Sequence, residues 1–271
     1  MTTPTVLPPL PKSKWSKHIL LQGRSSLLPH LPATERFTSD ALAARLRSDR
    51  RVIIKPALGE GGQYVCRITR MRSGYQIESG AGRERVSPLF PDLLAALPTW
   101  VTEKPCIVQA FVDLCPYRGR ATDIRTIVQR NEQGQFELTG TFVKTAPDQA
   151  FVTNVKQGGA IDATHKYLRA SVRGTKRQTA VWAVIQSVSL DIGQFLGDRF
   201  SNAVYGIDLG LDRSARVWII EVNTQPNLGI LGELDPRMKN RALALRRYNR
   251  QARVDGLQDA HTTSAALHAR R

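Results

Sequence analysis

Acidic side chains are in short supply: 23 Asp and Glu stand against 39 Lys and Arg in 271 residues, a net charge of +16. The shortfall is uneven. Residues 1–24 carry four basic and no acidic side chains, and residues 237–271 carry nine basic and two acidic. The body between them has 26 basic and 21 acidic residues, a surplus of only +5. Charge gathered at the ends reads as solvated tails or as a docking surface for something anionic. Cysteine is scarcer still. Cys66, Cys106 and Cys115 form no Cys-x-x-Cys pair and cannot all pair with one another. A disulfide-built scaffold is excluded, and a reducing, cytoplasmic setting is expected. The five histidines lack metal-ligand spacing. The start of the chain has no apolar h-region, and no run approaches the length of a membrane span, so no membrane partner is expected. Internal repeats are missing, as are GxxxxGK[ST] and the dinucleotide GxGxxG. What is present is ordinary: 41% apolar and 23% charged residues, enough to bury a sizeable core in one domain or two coupled lobes.

Along the chain, the Pro- and Thr-rich residues 1–11 read as an extended leader, and Trp15, Ile19 and Leu20 anchor a short helix within 15–28. Thr38 or Ser39 caps a helix that sets Leu42 and Leu46 one turn apart. Residues 52–55 are strand-like and stop at Pro56; strands at 64–69 and 75–78 complete a small antiparallel unit. The apolar run 106–112 is a buried strand and hinge, and 123–130 with 136–146 form a hairpin. Val181, Ile185, Val188, Ile192 and Phe195, spaced by fours and threes, mark one face of a long helix that packs on a sheet. Residues 237–250 form a basic helix, and 255–271 fray. The expected divisions are therefore 1–30 (leader and short helix), 31–105 (first lobe with a glycine-rich flap), 106–236 (second lobe) and 237–271 (basic helix and tail).

Chemistry concentrates in residues 206–227, GIDLGLDRSARVWIIEVNTQPN. Two apolar runs flank a polar turn at 212–216, the signature of a hairpin. Alternation puts Glu221 and Asn223 on one face and Trp218, Ile220 and Val222 on the other. An antiparallel neighbour then brings Asp208 beside them. Three hard oxygen donors at the end of a sheet are the set Mg²⁺ prefers when nucleotide phosphates fill its remaining positions. A plain surface hairpin is the alternative, but its polar face would not be flanked by Ile219, Ile220 and Val222.

Lys55 ends an apolar strand just before Gly59-Glu60-Gly61-Gly62. Glycines let backbone N–H groups close over phosphate oxygens, and a fixed ammonium adds point-charge compensation. The same residues also suit an ordinary hairpin turn. Arg125 and Lys144 lie on successive expected strands and can face a cleft together; otherwise they are paired charges on an exposed sheet.

Order and combination add to these readings. The chain runs from VIIKP and GEGG through IVQAFV, DIR, FVK and TNVKQGG to GID and finally EVN. In this it resembles the ATP-grasp proteins, specifically the YheC/YheD family of endospore-associated proteins. It is also similar to RimK-type ligases, which add glutamate to a ribosomal protein. The resemblance implies an α+β ATP-grasp fold with nucleotide held between two α+β lobes. It implies Lys55 on the α/β-phosphates, Gly59, Gly61 and Gly62 in the phosphate flap, and a hinge of Gln109, Phe111 and Val112 meeting adenine. Asp123 would contact ribose, and Thr153 and Asn154 would touch nucleotide. Asp208, Glu221 and Asn223 would hold two Mg²⁺ with Glu221 bridging. Lys144 stands where relatives often carry Arg, which weakens bidentate phosphate recognition there. The chain also lacks room for the domain that usually precedes this core.

The activity so implied is ATP-dependent ligation of a carboxylate to an amine through an acyl phosphate, on an amino acid or acidic peptide, with Arg125 and Lys144 as the catalytic cations. Two other classes remain open. One is a kinase on the same fold, which would need no amine. The other is a non-enzymatic, spore-associated protein that binds nucleotide only. No nucleic-acid motif accompanies the basic ends.

Overall fold

The computed structural model describes residues 7–59, 64–79, 82–85, 89–147, 153 and 158–268, with backbone alone for 82–85 and 255–268. Two antiparallel sheets organise it. The first contains β1 (Thr34–Arg36), β2 (Arg51–Pro56), β3 (Cys66–Met71), β4 (Gly74–Ser79), β5 (Gly82–Arg85) and β6 (Cys106–Ala110), in the order β1-β6-β2-β3-β4-β5. The second contains β7 (Thr122–Arg130), β8 (Phe136–Thr145), β9 (Ala160–Asp162), β10 (Val204–Leu211) and β11 (Val217–Asn223), in the order β11-β10-β7-β8-β9. With the helices on their faces this is the expected α+β class.

Helix α1 (Lys14–Gln22) precedes the first sheet, and α2 (Ser39–Ser48), α3 (Phe90–Ala95) and α4 (Trp100–Glu103) cover it. Thr38 caps α2 by accepting the Ala41 N–H at 3.0 Å, as its sequence indicates. Leu42 and Leu46 then meet Val52, Ile54, Ile68 and Val108 in a first core. On the second sheet, α5 (Thr164–Ser171) and α6 (Thr175–Gly197) pack on one face, and α7 (Pro236–His268) on the other. The α6 stripe lies as its period requires: Val181, Ile185, Val188, Ile192 and Phe195 are buried against Ile124, Val128, Ile207 and Leu209. Each such fully buried aliphatic side chain contributes about 1.5–3 kcal/mol. The opposite face puts Ile127 and Phe142 against Leu228, Leu231 and Ala242.

Several expectations change. β6 pairs with β1 and β2, so the strand expected in the second lobe lies in the first sheet. An apolar run cannot announce which sheet will bury it. The leader is not a separate unit either: Leu10, Leu21 and Leu27 sit in the core of the second sheet. α7 continues to His268 instead of fraying from residue 255. The 23-residue α6 is long and apolar enough, by length and composition, to cross a membrane, which the search for uninterrupted runs did not anticipate. Half of its most apolar stretch is buried within the protein.

Candidate functional site

Strand alternation sets the site. Ile124, Ile207 and Leu209 turn toward α6, so Asp123, Arg125 and Asp208 take the other face. Register places Asp208 opposite Arg125 on one side and opposite Glu221 on the other, and Asp123 opposite Lys144. Arg125 grips the Asp208 carboxylate with both arms of its fork, Nε to Oδ1 at 2.6 Å and Nη2 to Oδ2 at 2.7 Å. The Lys144 ammonium stands 2.8 Å from Asp208 Oδ1 and 3.0 Å from Asp123 Oδ1. Asn223 Nδ2 donates to Asp208 Oδ2 at 3.2 Å, and the Thr153 hydroxyl donates to Asp123 Oδ2. Gly206 makes room for this: a Cβ there would meet Pro226 at 2.8 Å and the Arg125 side chain at 3.3 Å.

A bulge in β11 keeps Glu221 on this face. The register shifts between Asp208 and Leu209, leaving Ile220 unpaired, so Ile219 and Val222 both reach the core. The expected single face of Trp218, Ile220 and Val222 is therefore broken. Trp218 and Ile220 are half-buried, and the Trp218 indole donates to Asp212 Oδ2 at 2.9 Å.

The electrostatics follow from burial and pairing. Burial raises Asp208, but the Arg125 and Lys144 charges and their hydrogen bonds outweigh it and hold the carboxyl well below its ordinary range. Asp123 moves the other way: burial, abetted by Asp208, pushes it up to about 6 against the pull of Lys144. Burial lowers Lys144, yet Asp123 and Asp208 leave it raised overall.

Across the cleft the first sheet presents Lys55, whose ammonium donates to Gln109 Oε1 at 3.0 Å; Gln109 in turn donates to the Thr34 hydroxyl at 2.7 Å. Burial lowers the Lys55 pKa, with Glu221 opposing. Gly59 adopts φ +109° and its carbonyl accepts from Lys14 Nζ. At the hinge, Phe111 N–H bonds the Arg51 carbonyl at 3.1 Å and the Val112 carbonyl accepts the Leu114 N–H at 3.0 Å. A groove of about 530 Å³ opens beside Phe111, Val112 and Trp218. The hinge side chain of Gln109 thus faces Lys55, and Asp123 is engaged by Lys144 and Thr153 deep in the second sheet. Gly61, Gly62 and Asn154 lie outside the described residues.

Sequence reasoning expected the helix α1 but gave it no part in the site. Its Lys14, Lys17 and His18 enter a small cavity that Lys55, Gln109 and Glu221 also line. Lys14 N–H donates to the Ala57 carbonyl at 2.7 Å, its ammonium stands 3.3 Å from Glu221 Oε1, and Lys17 Nζ donates to the Val222 carbonyl at 2.7 Å. One helix therefore fastens the base of the flap to β11. The signal was there to read: Lys14, Lys17, His18 and Leu21 recur at helical spacing.

Among the described residues no group of three His, Cys, Asp or Glu is placed to hold a metal ion. The chemistry of the donors nonetheless suits one hard divalent cation arriving with phosphates: Asp208 and Glu221 face one another in register, and the Asn223 amide reaches Asp208. Arg125, Lys144 and Lys14 neutralise those carboxylates here.

A family model described as YheC/D-like ATP-grasp matches residues 5–249. The endospore coat-associated protein YheD of Bacillus subtilis (strain 168) is 25% identical over 80% of this chain, and YheC of the same organism 21% identical over 83%. The chain spans only 49% and 63% of the lengths of these relatives. Among solved structures, the D-alanine–D-alanine ligase from Coxiella burnetii superposes with a TM-score of 0.53 at 10% identity, over 92% of this chain and 61% of that one. That likeness is one of fold.

Proposed function

This chain belongs to the YheC/D-like ATP-grasp family, and from that premise we propose that it is an ATP-dependent carboxylate–amine ligase. One observation carries the reading. Lys55 and Gln109 of one sheet line a cavity with Glu221 of the other, and Asp208, opposite Glu221 in register, is held by Arg125 and Lys144, so cations and hard oxygen donors gather where a polyphosphate would lie. The groove beside Phe111 and Val112 falls within the usual size of small-molecule pockets and suits a nucleoside.

In the proposed reaction a substrate carboxylate oxygen bonds to the γ-phosphorus as the bond to the ADP oxygen breaks, giving an acyl phosphate. An amine then adds to the acyl carbon, inorganic phosphate leaves with the C–O bond electrons, and the amine gives up one proton to the departing phosphate or to solvent, forming an amide. Lys55 holds the α/β-phosphates. Asp208, Glu221 and Asn223 would hold Mg²⁺, which supplies charge neutralisation on the transferring group. Arg125 and Lys144 neutralise the carboxylate and acyl phosphate once these enter, a preorganised electrostatic role that needs no protein nucleophile. The flap at residues 59–62 shields the intermediate from water. The substrate we favour is an amino acid or an acidic peptide.

The test is incubation with ATP, Mg²⁺ and pools of amino acids or peptides, following phosphate release and product masses. Amine-dependent ADP formation with a new amide is expected. A stable phosphorylated product formed without amine would assign a kinase, and tight ATP binding without turnover a nucleotide-binding protein.

A further inference from the structure

Among the described residues, every polar side chain lining the small cavity between the sheets has a partner, save one. Lys14 meets Glu221 and the Gly59 carbonyl, Lys17 the Val222 carbonyl, Lys55 the Gln109 amide, and Thr34 both Gln109 and the Pro32 carbonyl. His18 does not. Its residue is 7% exposed, its Nε2 is fully buried, and that nitrogen has no hydrogen-bond partner. The ring is held in place by stacking on Trp15, with centroids 6.0 Å apart and planes inclined by 27°. Buried polar atoms left unpaired cost stability, and a leucine would fill the same helix position without that cost. A buried ring nitrogen left without a partner, on a side chain that lines a cavity shared with Lys14, Lys17 and Lys55, is what a ligand-binding group looks like before its ligand arrives.

The surroundings define the ligand. Among the described residues, three lysines, Lys14, Lys17 and Lys55, line the cavity beside one acidic residue, Glu221. An anion belongs there. Burial first and then the Lys55 charge push the imidazole down to about 4, so it enters neutral, with one N–H to give. A neutral donor adds direction to such a site without adding a fourth repelling cation.

We propose that His18, through Nε2–H, donates a hydrogen bond to a phosphate oxygen of the bound nucleoside triphosphate beside Lys55. This rests on the nucleotide reading of the cleft, and the experiment separates the two. ATP affinity is measured by calorimetry on the wild type, Lys55→Ala, His18→Phe and His18→Gln, with the urea midpoint of each free protein alongside. A hydrogen bond to a charged group predicts that His18→Phe weakens ATP binding roughly tenfold. Its urea midpoint should hold or rise, since an unpaired buried nitrogen is removed, and His18→Gln, which keeps a donor, should recover most of the affinity. In the wild type, ATP should also shift the His18 ring nitrogen resonance, a readout that survives even if the phenylalanine variant folds poorly. Unchanged affinity in His18→Phe beside a weakened Lys55→Ala, or an unmoved ring resonance at saturating ATP, would overturn the role of His18 and leave the nucleotide site standing. A wild type that binds no ATP would overturn both.

Discussion

Asp208 has more charged partners than any other carboxylate of the cleft. Arg125 binds it twice, Lys144 once, and Asn223 adds an amide, all with exposure in single figures for Asp208 itself. Truncation there strips Arg125 of its bidentate carboxylate and leaves Lys144 with Asp123 alone. Asp208→Ala should therefore cost about 3–5 kcal/mol, the usual penalty for breaking a buried pair, and a denaturant titration would read it directly. Glu221 is different: its side chain is 26% exposed, and among the described residues its ion-pair partner is Lys14 at 3.3 Å. Glu221→Gln should leave the denaturation midpoint nearly unchanged and still abolish Mg²⁺-dependent ATP turnover; near-normal turnover in the folded variant would rule out Glu221 as a metal ligand. Lys55→Ala should weaken ATP binding by the roughly 1.5–3 kcal/mol of a charge-assisted contact, measured by calorimetry. The fourth residue-scale consequence is a pH dependence. The His18 pKa is depressed in the folded state, from 6.5 to about 4, by burial and then Lys55. A depressed base gives stability that is complete above pH 6.5 and is lost as pH falls toward 4, because only the unfolded chain then takes up the proton. Lys14, Lys17, Lys55 and Glu221 line the same cavity, so the clean measurement is a difference: wild type should lose roughly 2 kcal/mol more than His18→Phe between pH 6.5 and 4.

At the scale of elements, what could be read in advance depended on whether the signal was local. The α6 stripe was legible since its period is set by one helix alone, and Ile192 is fully buried as that period requires. Ile192→Ala should cost about 2–5 kcal/mol in a urea titration with ATP affinity unchanged, because the residue faces the core on the side of the sheet away from Asp208. The hairpin of β10 and β11 was legible for the same reason. Its bulge was not: one unpaired residue at Ile220 depends on register with Asp208 and Leu209, which periodicity cannot foresee. The placement of β6 also escaped, as its partners Thr34–Arg36 and Arg51–Pro56 lie tens of residues away. Among the site residues, Arg125, Lys144, Asp123, Asp208 and Asn223 come together because they alternate on neighbouring strands. Lys14, Lys17 and His18 stayed hidden because a short polar helix looks like surface until something packs over it.

Over the whole molecule, the uneven charge acquires a location. α7 lays Ala242 and Leu245 into the core of the second sheet, with Met238 half-buried beside them, as an amphipathic reading of the basic terminus expects. Arg241 is taken up structurally, its guanidinium held by Glu132 and Glu137 at 2.7–2.9 Å. Lys239 is also withdrawn from the exposed charge of the basic helix: it is half-buried against Gly232, where a Cβ would meet its Cδ at 2.6 Å. What remains is Arg246, Arg250 and Arg253, at steps of four and three on one exposed face. Such a ridge attracts an acidic peptide and raises its association rate in a salt-dependent way. Replacing Arg246, Arg250 and Arg253 with Gln should raise KM for a Glu- or Asp-rich substrate several-fold at low salt, at roughly 1 kcal/mol or less per surface charge. The salt dependence of KM should flatten, and ATP affinity should not move. If KM and its salt dependence both match the wild type, the ridge is only a solvated face and the acidic-substrate reading loses its support.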